Sequence, residues 1–227
     1  RVSFSTYSRI QYDSDRLSSA YNRVYRITCI WVGFTVSMCT LLGTDAIIVV
    51  GLQADYAQAG LILPLVAVWG ACRALAENDT MLFSASGRPW ITTAFQFMVL
   101  ALFALCVIPA GIYYALPGIA MGLAGVGLVS QVVRMVVVAR LFPIRFSALT
   151  GWLGGVAVAA SIAVWAGFGL SGNLSLEPGW IRLVLHATVG MVVYAAIVFG
   201  LDSVMGYHTC RNLFAMVLPG VRTAGKV

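Results

Sequence analysis

The amino-acid sequence predicts an all-α polytopic membrane protein, and three observations predict it. Of 227 residues, 60% are hydrophobic and 10% charged, where soluble domains carry about 25% charged residues; mean hydropathy is +0.92. Six apolar windows are separated by charge, Gly and Pro, and each is long enough to cross ~30 Å of hydrocarbon as a helix. Arginines, finally, concentrate in alternate connections between the windows. Backbone groups in lipid must be satisfied internally, so windows of this length are helices.

The first 26 residues are polar, contain no apolar h-region and open on Arg1. They read as a loop and helix start, with Asp13 or Ser14 as N-cap, and the polar start without Met predicts an internal segment of a longer protein. The first window, 27–50, contains Thr44 and Asp45 near its far end; it is one span with a polar tip. The second, 57–76, has an amphipathic extension to 86, and the third and fourth are 91–110 and 117–142. These four spans, 27–142, form one unit; the two further spans, 149–170 and 180–201, lie within 143–204, and 205–227 is a tail.

Arg1, Arg9, Arg16, Arg23 and Arg26 precede the first span. Arg88 separates the second from the third, Arg140 and Arg145 the fourth from the fifth, and Arg211, Arg222 and Lys226 follow the sixth. The other connections hold no basic residue, although Arg182 stands just inside the last span. The positive-inside rule then places both ends in the cytoplasm. Trp90, Trp152, Trp180, Tyr113 and Tyr114 fall at span ends, where aromatic residues anchor helices at the interface. The small-residue runs 118–127 and 151–160 allow close helix packing.

Cys29, Cys39, Cys72, Cys106 and Cys210 show neither CxxC spacing nor a neighbouring His. They read as small apolar packing residues, not as a metal or disulfide framework. The net charge of +6 reports orientation in a membrane chain and implies no nucleic-acid partner. No paired-carboxylate motif, nucleophile elbow or phosphate-cradling GxxxxGK[ST] is present, so no enzyme and no cofactor is expected.

The order of motifs resembles a known family. Phe4, Ser8, Arg9, Gln11, Asp13 or Asp15, Arg16, Leu17 and Tyr21 follow an F-P-x-x-S-R-L-Q-x-D-x-x-R-L pattern, with Ser5 in place of Pro. Gly51, Gln53, Ala57, Arg73 and the Gly-Arg-Pro at 87–89 follow a second segment, whose usual Trp appears as Ala54 or, with a shift, Tyr56. The run 116–124, LPGIAMGLA, is similar to a G-I-x-G-V-A entry into a helix pair. Together these resemble the multidrug/oligosaccharidyl-lipid/polysaccharide exporter superfamily, in its lipopolysaccharide and exopolysaccharide flippase branch. The likeness covers about residues 2–143, and the last two spans only by position and apolarity.

The resemblance implies the C-terminal lobe of a two-lobe inverted transporter in the bacterial inner membrane, with the N-terminal lobe of the same protein as its partner. It implies flipping of undecaprenyl-diphosphate-linked oligosaccharide for polysaccharide biosynthesis. A multidrug exporter of the same superfamily and a non-catalytic structural subunit are the alternatives.

Moving a diphosphate through hydrocarbon needs compensating charge inside the membrane. Arg73, ~24 Å along the second helix from Ala57, offers a guanidinium fork suited to phosphate; its alternatives are snorkelling and an ion pair with Glu77 one turn on. Glu77, Asn78, Asp79 and Thr80 either mark where this helix leaves the bilayer or face a wet cavity and join ion coupling. Arg134 reaches the cytoplasmic interface, the favoured reading, or the cavity. Asp45 reads as a solvated helix end, with a gate or coupling carboxylate as its alternative. His186 reads as a histidine hydrogen-bonded within the bundle, with a proton relay as its alternative.

Overall fold

Such apolar surface leaves the backbone no water to bond, and every described element is helical. The computed structural model describes residues 14–49, 57–142, 144, 146–173 and 180–204. The helices are α1 (Ser14–Val49), α2 (Ala57–Ala85), α3 (Pro89–Leu102), α4 (Ile108–Leu141), α5 (Phe146–Asn173) and α6 (Trp180–Val204), with a π-helical turn, Phe103–Val107, joining α3 to α4. Residues 1–13, 50–56 and 205–227 lie outside the described residues, and with them Arg1, Arg9, the expected cap Asp13, Gly51, Gln53 and Cys210; so does Arg145.

Helix α1 opens 13 residues before the apolar window, because Leu17, Tyr21, Tyr25 and Cys29 recur every fourth residue and are all buried on one face. That stripe packs with Leu75, Leu82 and Phe83 of α2, Met135 and Val138 of α4, and Leu149, Trp152 and Val156 of α5. A second cluster joins Ala159 and Ala163 of α5 to Tyr194 and Val198 of α6. There the Tyr194 hydroxyl donates to the Ile30 carbonyl at 2.6 Å. Helix α1 is thus the central post, touching α2, α5 and α6.

Pro89–Leu141 is 53 residues long, and would reach ~80 Å if straight, far beyond a bilayer. It is two antiparallel legs. Inside α4, Ala115 has φ 51° and ψ −139°, and beyond it the chain doubles back, bringing Gly118 against the Ala110 carbonyl and Gly122 against Val107. Pro117 follows at the turn, where its missing N–H costs no helical bond. The legs correspond to the separate third and fourth windows, with Tyr113 and Tyr114 exposed at the tip.

Four stretches of the described residues are long and apolar enough to cross a membrane: Asp15–Gly43, Pro89–Leu141, Leu149–Gly169 and Trp180–Ser203. Apolar residues face outward in quantity, among them Trp31, Leu105, Ile112, Trp165 and Ile181. Ser37, Asp45, Asp79, Gln131, Arg134, His186 and Asp202 are buried instead. This reverses the distribution of a soluble protein, and it is the packing of a polytopic membrane protein whose costly polar groups turn away from lipid.

Trp152 departs from the interfacial role its position suggests. It is buried at 5% exposure, with the Arg26 guanidinium over its ring, whereas Trp90 and Trp180 are exposed. The small-residue runs divide likewise: Gly127 packs on Cys72 and Trp69 and Gly155 on Leu201, while Gly125, Gly151 and Gly154 face open space. Cys29 and Cys72 are buried as packing residues, but Cys106 is exposed; the four described cysteines are free.

Candidate functional site

Two buried polar groups stand out, one nearer each end of the bundle. The first is built where α1, α2 and α4 meet. Asp79 follows Leu75 and precedes Leu82 and Phe83 on the packed side of α2, so helical spacing carries the carboxylate into the core at 0% exposure. Tyr21 of α1 donates its hydroxyl to Asp79 Oδ1 at 2.5 Å. One α1 turn further on, Tyr25 stacks on Tyr21 with centroids 5.8 Å apart.

Gln131 and Arg134 of α4 complete the group. Three residues apart, they share a helix face with Val138, and both are almost wholly buried, at 2% and 1% exposure. The Arg134 guanidinium lies 4.4 Å from the Phe95 ring centroid, a cation–π contact in a desolvated setting. It also stands in the electrostatic fields of Asp79, Arg73 and Glu77. Its Nε and Nη1 have no hydrogen-bond partner among the described residues, while the Gln131 amide lies within reach of the Tyr25 hydroxyl and of Asp79. A buried polar atom left unpaired costs ~1–3 kcal/mol. Two on one buried guanidinium make a site with hydrogen-bonding capacity left over.

Gln131 also borders a cavity of about 510 Å³ between α1, α2, α4 and α5, otherwise walled mostly by apolar residues such as Val36, Leu75, Leu128 and Leu153. The network therefore meets open space through its amide. Chemically, the guanidinium offers hydrogen-bond donors to an anion.

Of the remaining residues of the ENDT run, Asn78 and Thr80 are half-buried and Glu77 is exposed. The helix does not end there; α2 continues to Ala85. Asn78 donates to Thr28 Oγ1 of α1 at 2.8 Å, and Thr80 bonds back to the Ala76 carbonyl at 3.0 Å. Glu77 and Arg73 are exposed, and the hydrogen bond of Arg73 runs to Gln96 Oε1 of α3, at 3.5 Å, in place of an ion pair with Glu77. Arg134 is buried against Phe95 and not exposed on the bundle's surface.

The second group links α1 to α6. Asp45 is 2% exposed, which corrects its reading as a solvated helix end. Its Oδ2 lies 2.7 Å from His186 Nδ1, across 141 residues of sequence, and its Oδ1 lies 3.5 Å from Arg182 Nε. Phe168 of α5 sets its ring edge-on to the imidazole at 5.7 Å. His186 is hydrogen-bonded within the bundle, as the sequence suggests, but its partner was not legible there; its Nε2 is buried without a partner among the described residues.

Tyr21, Tyr25 and Gln131 were missed as site residues. The four-residue repeat of α1 and the pairing of Gln131 with Arg134 on one α4 face were the available signals. Among the described residues no cluster of His, Cys, Asp and Glu is arranged to hold a metal ion. No protein-family description, no curated protein and no solved structure matches the chain.

Proposed function

We propose that this chain belongs to a transporter that moves undecaprenyl-diphosphate-linked oligosaccharide across the bacterial inner membrane by alternating access, working with an N-terminal lobe of the same protein, both chain ends in the cytoplasm. The observation that carries the reading is Arg134: a buried guanidinium with two nitrogens unpaired among the described residues, in an apolar bundle. Ionisable residues held inside a membrane mark substrate or ion paths by default, and guanidinium is the side chain best matched to phosphate oxygens. Arg73, exposed 61 positions earlier on α2 and within its field, supplies a second cation on the approach, with Glu77 and Asn78 beside it. Repeat-built transporters place such sites between rocking helix bundles.

The test is complementation of a flippase-deficient strain with the full-length protein. Arg134→Gln and Arg73→Ala are expected to insert at wild-type levels while polysaccharide export falls by more than tenfold and lipid-linked oligosaccharide accumulates in the cytoplasmic leaflet. Wild-type export by inserted Arg134→Gln would overturn the assignment. The buried carboxylates Asp45 and Asp79 favour a second reading, export of organic cations; drug sensitivity of Asp79→Asn with unimpaired polysaccharide export would select it.

A further inference from the structure

Phe95, which carries Arg134 against its ring, also borders a separate cleft of about 470 Å³ between α3 and the end of α4. Its wall is apolar, made by Ile91, Ala94, Phe95, Met98 and Val137, and two guanidiniums, Arg88 and Arg140, border it. Arg88 immediately precedes α3 and Arg140 occupies the last turn of α4. Both are exposed, and among the described residues neither has a carboxylate partner.

We propose that this cleft binds one anionic phospholipid, the headgroup phosphate taken by Arg88 and Arg140 and an acyl chain laid along the Ile91–Met98 wall. Two cations converging on one opening without a counter-charge repel each other, and a phosphate between them removes that repulsion. Arginine forks match phosphate oxygens in shape as well as charge. The distances suit a lipid: Arg88 to Met98 is ~15 Å along the helix, which is about the hydrocarbon depth of one leaflet. Trp90, 67% exposed beside Arg88, sits where aromatic residues mark the headgroup level. Basic pockets between transmembrane helices bind acidic headgroups in this way. The site stands apart from the transport reading, since neither arginine belongs to the buried network.

The full-length protein, reconstituted in nanodiscs of equal parts phosphatidylglycerol and phosphatidylcholine, is released and its retained lipids are counted by native mass spectrometry. Wild type is expected to retain phosphatidylglycerol about thirtyfold over phosphatidylcholine, in line with the contribution of two basic residues near a surface. Arg88→Gln/Arg140→Gln brings that ratio close to unity, and each single substitution lowers it about fivefold. Arg16→Gln/Arg23→Gln, which removes the same charge from α1, leaves it unchanged. Ala94→Phe, exposed and neutral, fills the wall and lowers retention without altering charge. Equal retention by wild type, or an undiminished preference in Arg88→Gln/Arg140→Gln or in Ala94→Phe, overturns the proposal. Displacement of phosphatidylglycerol by undecaprenyl phosphate at comparable concentration also overturns it, by giving the cleft to a polyprenyl lipid instead.

Discussion

Tyr21 and Asp79 are 58 residues apart in sequence and joined by one hydrogen bond in the core. Tyr21→Phe removes the donor and leaves a buried carboxylate less solvated, at a cost of ~1–3 kcal/mol. A double-mutant cycle of Tyr21→Phe with Asp79→Asn, read by unfolding in detergent, is expected to show coupling of ~0.5–3 kcal/mol; additive effects would mean that the bond contributes nothing. The same cycle on Asp45→Asn and His186→Ala measures the tie between α1 and α6, and a coupling in the same range, ~0.5–3 kcal/mol, is expected. Arg182, about a quarter exposed, adds less to that tie because water screens it. At this scale the sequence identified Asp45, Asp79, Arg134 and His186 as unusual, since polar residues in apolar runs are visible in one dimension. It misassigned the surroundings of Asp45, because burial depends on which neighbouring helix covers a face.

Helix boundaries were more legible than contacts. The third and fourth windows read as separate, and the structure joins them through the hairpin at Ala115, with the π-helical turn lying inside the third. At φ 51° Ala115 is in a region that an L side chain adopts at a cost, ~1–3 kcal/mol. Ala115→Gly is therefore expected to raise stability by ~1 kcal/mol once the greater freedom of the unfolded glycine is subtracted; a lower unfolding temperature would contradict this. Gly118→Ala should do the opposite, destabilising by ~1–3 kcal/mol, because its Cβ would meet the Ala110 backbone carbonyl, which cannot rotate away. Gly125→Ala, on the same leg but facing open space, is expected to be neutral or stabilising by up to ~1 kcal/mol. The run from Gly118 to Gly127 looks uniform in sequence. Only the fold decides which of its glycines are contacts.

Across the whole molecule, the apolar exterior and polar interior make orientation testable. In a cysteine-free background, Gly87→Cys and Tyr114→Cys mark opposite ends of the α3–α4 hairpin, and a membrane-impermeant maleimide added outside intact cells is expected to label only the second. Labelling at Gly87→Cys alone would invert the topology drawn from the arginines. The sequence by itself determined that this is an all-α membrane chain, where its apolar stretches begin and end, and which connections are basic. Those properties are sums over neighbouring residues, and hydrocarbon thickness and backbone hydrogen bonding leave few alternatives. Only the tertiary structure decided that Asp79 meets Tyr21 beside Arg134 and Gln131, that Asp45 meets His186, and that Trp152 turns inward. Such pairings depend on helix rotation and on neighbours tens of residues away, and in a helix apolar on every side the hydrophobic effect does not select the inward face.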